Sequence, residues 1–64
     1  MYSVNLLGQN GDVFAGQDFD DKETAVRFYC NPRKYFAKSE FEGDVTHISI
    51  EGPDENASRS LVSK

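Results

Sequence analysis

Apolar and polar residues alternate from the first positions of the chain. Tyr2, Val4 and Leu6 fall on one face of an extended segment, with Ser3, Asn5 and Leu7 on the other. This period of two predicts a strand with one buried face. Gly8-Gln9-Asn10-Gly11 follows, and Asn-Gly supplies the two positive-φ residues of a type I′ hairpin turn. Asp12 to Gln17 reads as the returning strand, with Val13 and Ala15 opposite Phe14. Gly16 within it marks a bulge or a close backbone approach.

The period then changes. Asp18-Phe19-Asp20-Asp21-Lys22-Glu23 is a helix start, with Asp20 as the capping residue and Glu23 reaching back to complete a capping box. The carboxylates of this turn also suit the positive end of a helix dipole. Ala25, Val26, Tyr29 and Cys30 lie on one stripe of the predicted helix, widened by Phe28. Asn31-Pro32 allows three continuations, because proline pushes the residue before it out of the α region. The helix ends there, a second short helix runs from Pro32 to Lys38 with Asn31 as its cap, or one helix continues with a kink. Glu42-Gly43-Asp44 is a turn, and Val45 to Glu51 is a strand with Thr46, Ile48 and Ile50 opposite Val45, His47 and Ser49. Gly52-Pro53-Asp54 ends it. Beyond, Leu61-Val62 is an isolated apolar pair in a polar background, so residues 53–64 are expected to form a mobile tail.

The expected architecture is therefore α+β: one domain over residues 1–52 in ββαβ order, a three-stranded antiparallel sheet with one main helix packed on a single face. Its core would draw on Leu6, Val13, Phe14 or Ala15, Val26, Tyr29, Cys30, Ile48 and Ile50. Buried apolar area and chain entropy nearly cancel in chains below ~70 residues, and this one has 64. Cys30 is the only cysteine, so no intrachain disulfide can make up the difference, and a lone cysteine is expected as a small buried hydrophobe. A homodimer, or a partner that completes the core, is the natural remedy. The N-terminus lacks the basic, apolar and small-residue order of a secretion signal, and no apolar run approaches ~20 residues, so a cytoplasmic setting is expected.

No catalytic, metal or cofactor motif interrupts this pattern. His47 stands at mid-strand without a cysteine, serine or carboxylate at a motif spacing, and the glycines belong to the hairpin rather than to a phosphate loop. A non-enzymatic role without a cofactor is the expectation. The charge distribution is more informative. The net charge is −4, yet Arg27, Arg33, Lys34 and Lys38 crowd the helix and the segment after it. Tyr35, Phe36 and Phe41 lie among them and exceed what the expected core requires, so they form either a second small core cluster or an exposed anchor. Aromatic and arginine side chains together are the composition of binding hot spots. Arg33, Lys34, Tyr35, Phe36 and Lys38 are thus the candidate partner-binding residues, and a protein is the expected partner. Asp18, Asp20, Asp21 and Glu23 form an acidic patch as a second candidate surface. Two nucleic-acid readings compete: single-strand binding through the basic and aromatic segment 27–38, or imitation of a phosphate row by the carboxylates.

The run from Tyr2-Ser3-Val4-Asn5-Leu6 through Asn10-Gly11 and Asp20-Asp21-Lys22-Glu23 to Thr46-His47-Ile48-Ser49-Ile50 resembles small phage-encoded host-takeover proteins. The likeness is one of element order and size over residues 2–51, and no single residue's role carries across. It implies an acidic single-domain binder that inhibits or modulates a larger host enzyme or complex.

Overall fold

The computed structural model describes residues 1–41 and 45–61. The expected turn Glu42-Gly43-Asp44 and the last three residues lie outside that description. Four strands form an antiparallel sheet: β1 (Tyr2–Gly8), β2 (Val13–Phe19), β3 (Val45–Glu51) and β4 (Asn56–Ser60), in the spatial order β2-β1-β3-β4. One main helix, α1 (Lys22–Cys30), packs on one face, followed by the short α2 (Pro32–Tyr35) and a 3₁₀ turn, Lys38–Phe41. The α+β class and the single helical layer are as expected. The strand count is not, because part of the expected tail is β4.

The central strands make the core. Val4 pairs with Ile50 and Leu6 with Ile48 across β1 and β3, and all four side chains are buried beneath Ala25 of α1. Ala25 is small, which lets the helix lie close to the sheet. The opposite face carries Ser3, Asn5, Ser49 and Ser58, the polar half of the same alternation.

The hairpin closes differently from the expected two-residue turn. Among the described residues only Gly11 has a positive φ, 87°. The Gly8 carbonyl accepts from Gly11 N–H at 3.0 Å, and Gly8 N–H donates to the Asp12 carbonyl at 2.8 Å. This is a three-residue loop with one left-handed glycine, so Asn10 stays in ordinary backbone space. Pairing runs regularly from Tyr2↔Phe19 to Leu6↔Ala15, then jumps to Leu7↔Val13, which leaves Phe14 as an extra residue. The bulge therefore falls at Phe14 rather than Gly16. It turns Val13 and Phe14 outward, 62% and 48% exposed, and removes both from the expected core. Gly16 meets the other expectation, since a Cβ there would collide with the Asn5 side-chain oxygen.

The helix start is one residue later than expected. β2 extends to Phe19, so Asp21 rather than Asp20 becomes the cap; its carboxylate accepts from Thr24 N–H at 2.9 Å and from the Thr24 hydroxyl at 2.7 Å. Glu23 makes no capping box and pairs instead with Arg27 at 2.8 Å. At the other end Asn31 N–H bonds to the Arg27 carbonyl, and Pro32 opens α2, which stops at Tyr35 rather than Lys38. Cys30, expected buried, is exposed at the helix end.

Both sides of the sheet are tied to α1. Arg59 of β4 donates to the carbonyls of Tyr29 (2.7 Å) and Cys30 (3.3 Å), and its guanidinium lies 5.2 Å from the Tyr29 ring centroid. A cation at a helix C-terminus also meets the negative end of the dipole. Leu61, half-buried against the core, donates its N–H to the Thr46 carbonyl at 2.7 Å. On the β2 side, Phe19, Phe28, Phe36 and Phe41 form a chain of ring contacts with centroid separations of 4.6, 5.2 and 6.4 Å.

Two stability predictions follow from this packing. A chain ending at Glu55 loses β4, Arg59 and Leu61, and should be destabilised by at least ~2 kcal/mol, or roughly 8–16 °C in melting temperature at this size. A circular dichroism melt unchanged by that truncation would show β4 to be energetically idle. Phe36→Ala should cost about 3–5 kcal/mol, enough to abolish a cooperative urea transition in a marginally stable domain. A well-folded Phe36→Ala protein would remove Phe36 from the core.

Candidate interaction surface on the second helix

The segment singled out by its composition divides on the structure. Phe36 is only 4% exposed and belongs to the core cluster, so it cannot serve as a contact residue. The assignment fails there because Val13 and Phe14 turn outward at the bulge and the Phe36 ring fills the β2 flank of the core against Phe28 and Phe41. Phe41 is half-buried, edge-on to Phe36. Tyr35 is different. It stacks on Phe28 at 5.3 Å with an interplanar angle of 29°, while 39% of its surface stays open to solvent.

Arg33, Lys34 and Lys38 are exposed on α2 and the turn after it. Arg33 lies 5.4 Å from the Phe41 centroid and Lys34 lies 5.6 Å from that of Tyr35. Neither these two nor Lys38 pairs with a described carboxylate, whereas Lys22 and Arg27 both do. Backbone bonds fix the scaffold beneath them: the Asn31 carbonyl accepts from Lys34 and Tyr35, the Pro32 carbonyl accepts from Phe36 at 2.8 Å, and Glu40 caps Ala37 N–H at 3.0 Å. Next to α2, an open depression of about 430 Å³ is bordered by Cys30, Pro32, Arg33, Arg59 and Leu61.

The acidic candidates are engaged in different ways. Asp21 is engaged as the helix cap and Glu23 with Arg27, and Asp18 accepts from the Ser3 hydroxyl at 2.6 Å. Asp20 lies exposed between β2 and α1. His47 sits on the open face of the sheet, opposite Leu7 and Ser60, with Nδ1 2.7 Å from the Thr46 hydroxyl oxygen.

Sequence reasoning missed a polar cluster at the far end of α1. The Tyr2 hydroxyl donates to Asp54 at 2.5 Å, and Lys22 reaches Asp54 at 3.2 Å and Glu55 at 2.9 Å. Gly52 makes room for it, because a Cβ there would strike the Tyr2 ring. A hydrogen bond from Tyr2, then one from Lys22, hold the Asp54 carboxyl below the ordinary aspartate range. The Thr24 hydroxyl and amide do the same for Asp21. Glu55 and Asp54 raise Lys22, and the bond to Asp54 raises the Tyr2 phenol. The four partners are more than fifty residues apart in the chain at their extremes, so no local spacing could signal them.

Comparison of the chain with protein-family models, with curated proteins and with solved structures returns no match.

The carboxylate shifts set a pH dependence. Both Asp54 and Asp21 are depressed, so the folded state binds their ionised forms better. That stability is fully present above the ordinary carboxylate range near pH ~4 and is lost as pH falls through the lower folded values. Asp54→Asn should therefore lower the urea midpoint by a constant amount between about pH 6 and 8, with the gap narrowing below pH ~4. A gap that persists undiminished to pH ~3 would show that the Asp54 charge contributes nothing.

Proposed function

We propose that the protein is a non-enzymatic binding module that inhibits or modulates a larger protein, contacting it through Arg33, Lys34, Tyr35 and Lys38. The observation that carries this reading is three exposed cations on α2 and the turn after it, none with a described carboxylate partner, beside Tyr35, whose ring stacks on Phe28 and stays partly open to solvent. A side chain already held in place loses little freedom on docking, so more of its contact energy survives as affinity. Arginine and tyrosine are enriched among the residues whose truncation is most damaging at interfaces. The identity of the partner as a host enzyme or complex rests on the resemblance in element order alone.

The same residues bear on single-strand nucleic-acid binding, which needs open aromatic faces for successive bases. Here Phe36 is buried and Phe28 is enclosed by Phe19, Tyr35 and Phe36. Tyr35 alone remains as a stacking platform on α2, which favours the protein partner.

Arg33→Ala and Tyr35→Ala should each weaken partner binding at least ~30-fold, equivalent to about 2 kcal/mol, with melting temperatures close to that of the unaltered protein. The measurement is a calorimetric titration against a partner captured from the host and purified. Unchanged affinity in both variants would remove α2 from the interface. Salt-sensitive binding of oligothymidylate by the unaltered protein, lost in the same variants, would replace the protein partner with a nucleic acid.

A further inference from the structure

The two edges of the sheet are not equivalent. β4 is five residues long, presents no large apolar side chain, and has its one arginine turned in to the helix. β2 is seven residues long and carries no lysine or proline, the residues that commonly protect an edge. Val13 and Phe14 stand exposed at its bulged end. Antiparallel pairing uses one side of an edge strand, so alternate N–H and C=O groups of β2 point away from β1. From Ala15 to Phe19 the register with β1 is unbroken, which makes this stretch straight enough to pair on its outer side as well.

Charge decides what can pair there. Residues 1–21 contain Asp12, Asp18, Asp20 and Asp21 and no lysine, arginine or histidine. A second copy is therefore a poor occupant. An antiparallel β2–β2 contact centred on Ala15 sets Asp12 opposite Asp18, and one centred on Gly16 sets Asp12 opposite Asp20. Like charges directly opposed are destabilising. A basic strand meets the reverse situation.

We propose that the outer edge of β2, over Ala15–Phe19, accepts an extended basic segment of a protein partner as a fifth strand. Main-chain hydrogen bonds hold the segment, Asp18 and Asp20 face its lysine or arginine side chains, and Val13 and Phe14 receive an apolar side chain at one end. This is the strand-addition mode, in which backbone bonds supply affinity and alternate side chains supply selectivity. Resting on the protein-binding reading, the assignment nevertheless uses none of the α2 residues, so either surface can fail alone.

The test uses the full chain labelled with ¹⁵N and three capped decapeptides: alternating lysine and valine, alternating glutamate and valine, and alternating lysine and proline. The lysine–valine peptide should bind saturably and slow amide exchange at alternate positions of Ala15–Phe19 by at least ~10-fold, as added hydrogen bonds require. The other two should not, one for its charge and one because proline is excluded from strands. Phe14→Ala and the double variant Asp18→Asn/Asp20→Asn should each weaken binding at least ~5-fold, while Arg33→Ala/Tyr35→Ala should leave it unchanged. Equal binding of the lysine–proline peptide would reduce the effect to nonspecific charge and overturn the proposal. So would perturbations confined to α2, or no binding at millimolar peptide. Protection of β2 that rises with protein concentration in the absence of peptide would assign the edge to a second copy and likewise overturn it.

Discussion

Everything in this molecule is arranged around β1, one of the two central strands hydrogen-bonded along both sides. It pairs with β2 and β3, and through Val4 and Leu6 it supplies half of the fully buried aliphatic layer that Ile48 and Ile50 complete. A helix is about 10–12 Å across, whereas four strands spaced ~4.8 Å apart span roughly 14 Å between their axes. One helix over the centre therefore leaves both flanks of the sheet partly bare. The two flanks are covered by different chemistry. Over β4 the gap is closed by the arginine stem and guanidinium of Arg59 lying on Tyr29. Over β2 it is closed by rings, Phe19 on the strand meeting Phe28, Phe36 and Phe41 from above. The aromatics that look surplus for the expected core fill the β2 flank, which Val13 and Phe14 vacate where the bulge turns them outward.

This separates what could be read in the sequence from what could not. β1, β3 and the helix carry their own periodicity, so Val4, Leu6, Ile48, Ile50 and Ala25 fall on the buried side as the alternation and the 3.6-residue repeat demand. β4 has no such signature. Its outward residues Asn56, Ser58 and Ser60 meet solvent and its inward ones are Ala57 and Arg59, so its sequence is that of a loop. It is a strand because β3 offers an edge beside it and Arg59 can reach the last carbonyls of α1, a tertiary reason that propensity does not contain. The errors in β2 share one origin. A single extra residue at Phe14 inverts the facing of everything before it, and a period of two cannot reveal which residue will be skipped.

The candidate surface was legible in composition but not in depth. Arg33, Lys34 and Lys38 are exposed, as charged residues in a short helix and turn would be. Whether Tyr35 or Phe36 faced inward depended on where α2 stopped, and a four-residue helix has too few turns to show a stripe. Phe36 leaves the helix in extended backbone, and that change of direction drives its ring into the core while Tyr35 remains at the rim.

The distribution of charge then acquires a structural meaning that the net value hides. The charged side chains of residues 1–21 are all acidic, and of the four described cations without a carboxylate partner three sit on α2 and the turn that follows, the fourth being Arg59. Opposite fields on separate elements favour one docking orientation over its reverse and discourage self-association through β2. They also divide the labour of the side chains. Carboxylates close to the helix start are consumed by capping and pairing, so they stabilise the fold and contribute little field to a partner. Those on β2 and just beyond it, Asp18 and Asp20, keep at least one carboxylate oxygen free for solvent or a partner, as do the ammonium and guanidinium groups of Lys34 and Arg33 beside their rings. A charge resting on an aromatic face is oriented without being neutralised. That is the condition under which a surface cation can both remain soluble and meet an incoming carboxylate in a fixed geometry.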